Sequence, residues 1–491
     1  MGFCNRRSFL ITAAGAAATL SAPAWRPSAW AKPSGANSDL GIGVIGLGLK
    51  GKSLLQQVAA ATGVRVIALC DVDPRALNEG ADLVGKAQPP IHRSTDYRTV
   101  LAHPGVDAVV IATGTHWHAP MTVQACQQGK DVHVEKPAAH TIWAGARMVR
   151  AAGKYGRIVQ VGTQFRSDPG LPAAIDHIRS GLVGKILWIY AFAYAVRESV
   201  GRRLPWYPDW LDYDLYCGPA PMVPLKRTRL HYDWHFDWST GNGDLPNMGV
   251  HMIDIARRFA ALEAPPRRVL SVGGRFAMDD AGQTPNTQLT VFDYASCPVF
   301  FENRALPSKP GVRTTDQFRG LRNGIVVQCE GGYYAGYYGG GIYDNHGKPL
   351  LAKRLPGDGG ASHLANFFAA VRSRHPGDLT APIEVGHAST SVCHYGNISY
   401  RLGTTRTVGE VRRALMPTPP ADEHFQRLEA HLAAHQVNLA AQPLTLGCWV
   451  IPGATHDDIQ GVEDAAPEVL SEARHLLRGT YRPPYRLEDK G

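Results

Sequence analysis

From residue 39 to about 162, short apolar runs alternate with amphipathic stretches, the signature of successive βαβ units. The runs at 41–45, 64–70, 106–112, 131–135 and 158–162 are too short for helices and do not alternate strictly. Strands buried on both faces of a parallel sheet have that character. Helices are expected from Lys52, over 120–128 and over 141–155. Beyond this the texture changes. Residues 185–192, 269–276, 287–294 and 325–329 read as strands of an open, mostly antiparallel sheet in a second α/β domain. The Gly- and Tyr-rich run 331–341 reads as a flexible loop or lid, 363–374 has helical periodicity, and the chain after Arg401 reads as an extension of loops and short helices. The division is therefore a doubly wound α/β domain over 39–162, a second α/β domain over 163–403 and a C-terminal extension over 404–491.

The amino terminus is patterned differently. Asn5-Arg6-Arg7-Ser8-Phe9-Leu10 is a twin-arginine sequence followed by a weakly apolar, Ala-rich stretch to about Leu20. Ala22-Pro23-Ala24 and Ala29-Trp30-Ala31 are candidate cleavage sites, so 1–31 reads as an export signal and 32–38 as a polar linker. The apolar run is short for a membrane span, and none of ~18 residues occurs later. A periplasmic location without a stable membrane anchor is the expectation.

Composition adjusts this picture only slightly. At 491 residues the chain is long enough for two domains, and 44% hydrophobic with 19% charged residues is ordinary for a globular protein. The formal net charge of +9 includes Arg6, Arg7 and Arg26 of the acid-free leader. No Lys/Arg run of the nucleic-acid-binding type accompanies it. Apart from Cys4, the cysteines at 70, 126, 217, 297, 329, 393 and 448 are widely spaced and form no C-x-x-C, which points away from zinc or a disulfide framework. His231, His235 and His251 show no metal spacing either.

The chemistry begins at 41–51, where a strand runs into a helix through Gly46, Gly48 and Gly51. In this G-x-G-x-x-G turn the first glycine allows the bend and the second admits a pyrophosphate. The third lets helix pack on strand, and the helix start presents free N–H groups to the phosphates. Twenty residues on, the strand 64–70 ends at Asp71, a carboxylate placed for the adenosine ribose. It favours NAD over NADP by repelling a 2′-phosphate. This is a Rossmann nucleotide-binding reading. Farther along, Lys136 follows the carboxyl end of a parallel strand, where open α/β sheets place ligands, and Pro137 fixes the turn just past it. A lysine there can hold a substrate hydroxyl and stabilise developing alkoxide. His251, four residues after Asn247 on an expected helix, shares a face with it and can take the hydroxyl proton. The plainer readings are a surface turn for Lys136 and a core or capping histidine for His251. The aromatics of 188–238, among them Trp206, Trp210, Trp234 and Trp238, could stack on sugar faces or fill a domain junction.

Gly46 to Gly51, Asp71, Ala112-Thr113 with His118, the run 129–137 ending Glu135-Lys136-Pro137, and 241–254 together resemble the Gfo/Idh/MocA family. The segment 396–400 is similar too. The resemblance implies an oxidoreductase of sugars or polyols with Lys136, His251 and Asn247 as the catalytic group. It implies cofactor contacts from Gly46, Leu47, Gly48, Gly51, Asp71, Thr113, Trp117, His118, Glu135, Lys136 and Gln164, with Trp117 and His118 on a loop. Asn247 stands where the family's proton-handling pair often begins with Asp, and it can orient a hydroxyl but cannot stabilise an imidazolium by charge. Face-to-face homodimers or tetramers through the open second sheet are also implied. Export adds a constraint: a soluble nicotinamide pool is not at hand, so NAD must be tightly bound and regenerated in place. That leaves two enzymatic expectations, net oxidation of a sugar and redox-neutral glycoside hydrolysis by transient oxidation and elimination. A third, from another class, is a non-catalytic sugar-binding protein that kept the fold.

Overall fold

Six parallel strands carry the nucleotide-binding half. In the computed structural model, which describes residues 39–84 and 90–487, these are β1 (Leu40–Ile45), β2 (Val64–Cys70), β3 (His92–Ser94), β4 (Ala108–Ile111), β5 (Asp131–Val134) and β6 (Val159–Val161). Their order is β3-β2-β1-β4-β5-β6, so the chain reverses direction across the sheet between β1 and β4. That switch point opens a crevice at the strands' carboxyl ends. The crossovers are α1 (Leu49–Ala60), α2 (Pro74–Val84), α3 (Tyr97–Ala102), α4 (Thr115–Gln127) and α5 (Ile142–Tyr155). Every residue of β1, β4, β5 and β6 is buried, which is why these strands read as unbroken apolar runs. Thr141 caps α5 by accepting from the Ala144 amide, and Gly156 ends it at φ 60°.

Two helices differ from expectation. α1 starts at Leu49, so Gly51 lies within its first turn. α4 starts at Thr115 and carries Pro120 inside, so Trp117 and His118 are helical and not on a loop. Pro120 removes one backbone donor, but burial of Trp117, Ala119 and Met121 holds the turn in helix.

After α6 (Gly170–Arg179) the second sheet begins with β7 (Ile186–Tyr194), and α7 (Tyr213–Cys217) and α8 (Val250–Phe259) follow. β8 (Arg268–Gly274), β9 (Thr287–Asp293), β10 (Pro298–Arg304), β11 (Asn323–Cys329), β12 (Gly332–Gly336) and β13 (Gly341–Asp344) continue it. All its pairings are antiparallel except β7 with β10. The expected lid at 331–341 is mostly sheet: β12 is buried between β11 and β13, and only the turn between β12 and β13 is free of pairing. Aromatic packing overrides glycine's flexibility here, since Tyr334 is wholly buried.

Helix α9 (His363–Ser373) returns to the first sheet, where Leu364, Phe367, Phe368 and Val371 join the core of β1 and β2. The long α10 (Ile383–Arg401) packs with α8 against the inner face of the second sheet. The C-terminal segment is no loose extension. β14 (Thr404–Arg406) and β15 (Leu444–Leu446) add strands to the sheet edge, and β16 (Val450–Pro452) pairs with β17 (Ile459–Val462) and with β8. α11 (Val408–Leu415) and α12 (Ala421–Ala434) lie on the outer face, with Phe425, Leu428 and Leu432 fully buried against β7–β10. Burying each such side chain is worth roughly 1.5–3 kcal/mol. The face expected to be bare for association is therefore covered by this chain's own helices. α13 (Pro467–Arg478) ends the helical series beside α5 and α10. The export signal, its cleavage sites and the linker lie outside the described residues. No helix among the described residues is long and apolar enough to cross a membrane.

Candidate active site

The glycine turn has three distinct constraints. Gly46 adopts φ +89°, and a Cβ there would sit 2.6 Å from the Ala112 carbonyl. A Cβ on Gly51 would meet the Gly46 carbonyl oxygen at 1.9 Å, so helix and turn touch backbone to backbone. Gly48 is different: nothing lies within 4 Å of its would-be Cβ. Open space thus faces the start of α1, which carries no capping side chain and no acid in its first turn. Unclaimed amides of a helix start attract an anionic group. The Asp71 carboxylate accepts from the Leu47 amide at 2.7 Å and the Asp73 amide at 2.9 Å, which ties it to the turn. Burial raises its pKa, and those two amides counter the rise.

The second half of the chain closes over this end. His231 Nε2 lies 2.8 Å from Asp73, and the Arg75 guanidinium sits 4.7 Å from the Trp210 ring. Burial would raise the Asp73 carboxyl, but Arg75 and His231 hold it down at about 2.

At the other end of the crevice Lys136 Nζ donates to the Asn247 carbonyl and to Asn247 Oδ1, each at 2.9 Å. Asn247 lies in a π-helical turn, Leu245–Gly249, immediately before α8, so the expected single helix through Asn247 and His251 is in fact two geometries. Such wide turns recur at functional sites. Asn247 Nδ2 in turn donates to Asp244 at 3.2 Å, and Asp244 is paired with Arg197 at 2.8 and 3.1 Å. Arg197 also donates to the Tyr232 hydroxyl at 2.6 Å. Burial would raise the Asp244 carboxyl, but Arg197 and Asn247 keep it below its ordinary value. Burial pushes the Lys136 ammonium down, with Glu135 partly offsetting this. Glu135 sits below its ordinary value because Lys50, Lys136 and His133 outweigh its burial, and Lys50 Nζ is 3.4 Å from it.

His251 is buried, its ring 4.8 Å from that of Phe165, and its Nδ1 has no hydrogen-bond partner. Burial, then Lys136, drives its pKa well below the usual imidazole range, so it is neutral and basic in form at ordinary pH. Phe165 also stacks with Tyr337 and Tyr338, at 4.6 and 5.9 Å. The turn between β12 and β13 therefore borders this pocket. Gln164 Oε1 and Thr163 Oγ1 are buried without partners nearby in sequence.

Of the residues singled out beforehand, the structure gathers Lys136, Asn247, Glu135 and His251 at one end and Gly46 to Gly51 with Asp71 at the other. Thr113 adjoins the turn: a Cβ on Gly46 would come within 2.8 Å of its amide. Trp117 holds a structural post, packed between Tyr97 and Tyr485 with its indole N–H on the Leu215 carbonyl at 2.9 Å. His118 is buried with Nδ1 2.9 Å from the Pro137 carbonyl and Nε2 3.1 Å from that of Thr113, so it braces the two loops that frame the crevice. Sequence reasoning missed Asp244, Arg197, Tyr232 and Lys50. Asp244 had a signal, standing three residues before Asn247 within the glycine-rich 241–244 motif. Arg197 and Tyr232 had none.

The residues present suit a dinucleotide: an open glycine at a helix start, a carboxylate fixed beside it, and the orphaned Gln164 oxygen toward the catalytic end. Among the described residues no three His, Cys, Asp or Glu side chains cluster to hold a metal.

The model for the GFO_IDH_MocA oxidoreductase family, NAD-binding Rossmann fold, matches residues 40–163. The model for that family's C-terminal alpha/beta domain matches 185–270. The chain is 27% identical to a levoglucosan dehydrogenase of Pseudarthrobacter phenanthrenivorans over 60% of this chain and 72% of that protein. It is 30% identical to a glycosyl hydrolase family 109 protein of Stenotrophomonas maltophilia over 38% of this chain, and spans only 41% of that relative's length. The solved WlbA dehydrogenase of Bordetella pertussis, in complex with NADH and UDP-GlcNAcA, superposes with a TM-score of 0.56 at 18% identity, covering 74% of this chain and 97% of that one. That likeness is one of fold.

Proposed function

The chain belongs, through residues 40–163 and 185–270, to the Gfo/Idh/MocA family of NAD-binding oxidoreductases, and from that premise we propose that it is an exported enzyme that oxidises a sugar or polyol hydroxyl with tightly held NAD. The observation carrying this reading is the pairing of Lys136 with Asn247 beside a neutral, buried His251. When bound, NAD supplies the hydride acceptor. Lys136, released from Asn247, donates to the substrate oxygen and stabilises alkoxide as it develops. His251 takes the hydroxyl proton, a role its neutral form permits. Asn247 orients the substrate, while Asp244 and Arg197 hold Asn247 in place. Glu135 and Lys50 frame the crevice between the glycine turn and Lys136. The His231–Asp73 contact and the Arg75–Trp210 stack support tight retention of the cofactor. The Arg6-Arg7 leader supports a periplasmic location.

Similarity to glycosyl hydrolase family 109 proteins favours a second reading. In it, oxidation of a sugar carbinol acidifies the adjacent C–H, elimination releases the aglycone, and water addition followed by reduction restores the carbinol. One experiment separates the two. Purified protein without added nicotinamide or acceptor is given aryl glycosides and, separately, free sugars with an oxidised acceptor. Release of free sugar from the glycosides establishes hydrolysis; a strict demand for the acceptor establishes net oxidation. Neither activity from cofactor-loaded protein would leave only a sugar-binding role.

A further inference from the structure

A cavity of about 660 Å³ lies behind the segment 235–243, on its far side from Lys136. Trp238, Asn242, Asn397 and Arg401 line it, and the carboxyl-terminal end of α13 with Thr480 closes one side. It is therefore built in part by the C-terminal region beyond the family's matched domains.

Two of its acceptors are unsatisfied. Asn397 is 4% exposed, and its Nδ2 donates to the Asn242 carbonyl at 2.7 Å. Asn242 Nδ2 donates to the His140 carbonyl at 3.1 Å. A backbone carbonyl can only accept, so both amides are fixed in orientation, and neither Oδ1 has a partner. The cavity thus presents two carboxamide oxygens that call for donors. Across from them the Arg401 guanidinium rests 5.1 Å over the Trp238 ring and makes no ion pair among the described residues. It offers donors to a ligand's oxygens.

The charges discriminate between ligand classes. The cavity's carboxylates are already engaged, Asp237 by Arg227 at 3.4 Å and Asp233 by Arg229 at 2.8 Å, so no free anion awaits an ammonium ligand. A phosphate would meet the lone pairs of two amide oxygens. A hydroxyl both donates to an amide oxygen and accepts from a guanidinium. The volume is within the range of small-molecule sites.

We propose that this cavity is a second carbohydrate site, taking a neutral, hydroxyl-rich sugar unit held by Asn242 Oδ1, Asn397 Oδ1 and Arg401, separate from the site at Lys136. The proposal does not rest on the oxidoreductase reading.

Calorimetric titration of the NAD-loaded full chain with cellobiose, maltose and lactose up to 100 mM tests it. At least one should bind saturably. Arg401→Ala should weaken that Kd at least tenfold, and Ser239→Trp, which fills the cavity, should abolish it. Lys136→Ala should leave the Kd unchanged. Arg401 is exposed, so its removal leaves the core intact even if the bulkier Trp variant misfolds. The proposal fails if none of the three sugars binds, if inorganic phosphate or spermidine binds instead, if Arg401→Ala leaves the Kd as it was, or if Lys136→Ala abolishes binding. Loss of turnover in Lys136→Ala, by contrast, bears only on the first site.

Discussion

Lys136 Nζ stands 2.9 Å from both oxygens of Asn247, a residue 111 positions away in the chain. That contact joins the nucleotide-binding sheet to the second domain, and it keeps the lysine's donors occupied until a substrate oxygen replaces Asn247.

Replacing Lys136 with Ala should abolish turnover while nicotinamide still co-purifies. Pyrophosphate and ribose are the business of the glycine turn and Asp71. Loss of alkoxide stabilisation is worth ~3–4 kcal/mol, a fall of roughly 10²–10³ in kcat. Near-normal kcat in a cofactor-loaded variant would rule out both enzymatic readings.

Asn247→Asp puts a carboxylate against Lys136 and within reach of Asp244. Burial now lowers the Lys136 pKa. The added negative charge should raise it, extending the alkaline limb of kcat/KM toward higher pH by about one unit or more. A pH profile superimposable on the wild type would show that Lys136 does not titrate in catalysis.

In Asp71→Ala the Leu47 and Asp73 amides lose their acceptor. Affinity for NAD should fall by about 1.5–3 kcal/mol, and discrimination against NADP should relax as the repelling charge goes. Fluorescence titration of stripped protein with both dinucleotides measures this, and an unchanged NAD/NADP ratio would refute the assignment.

His424 is stacked on Tyr190 at 4.0 Å with both ring nitrogens buried and unpartnered, and burial pulls its pKa to about 3 from an ordinary 6.5. The unfolded chain therefore binds a proton between these values that the folded chain refuses. Stability from this residue is fully present above pH 6.5 and falls as pH falls, by about 1.4 kcal/mol per pH unit. His424→Phe should raise stability by about 2 kcal/mol more at pH 5 than at pH 8. Denaturant midpoints at the two pH values provide the check; equal gains would disprove the buried neutral state.

Arg6→Lys with Arg7→Lys should retain the precursor in the cytoplasm, folded and cofactor-loaded. Fractionation of expressing cells decides this, and normal delivery of the double variant would remove the case for export.

The sequence by itself determined the first sheet, because parallel strands buried on both faces must be continuously apolar and the chemistry sits at their ends in consecutive residues. Gly46 to Gly51, Asp71 and Lys136-Pro137 are such local signals. It also determined most antiparallel strands of the second sheet. Tertiary structure alone decided what those residues face. Trp117 reads like a loop residue at the crevice, yet its indole is spent on Tyr97, Tyr485 and the Leu215 carbonyl. The Gly/Tyr run of β12 has the composition of a loop, and cross-strand pairing with β11 and β13 makes it sheet. α11 and α12 are amphipathic in sequence, but which surface they cover is a long-range matter, and they cover the face that looked open for a partner. Arg197, Asp244 and Asn247 form one relay only because β7 and the turn before α8 converge on β5. Local propensity and spacing are written along the chain; the pairing of charges across 50 to 110 residues depends on packing that no local pattern encodes.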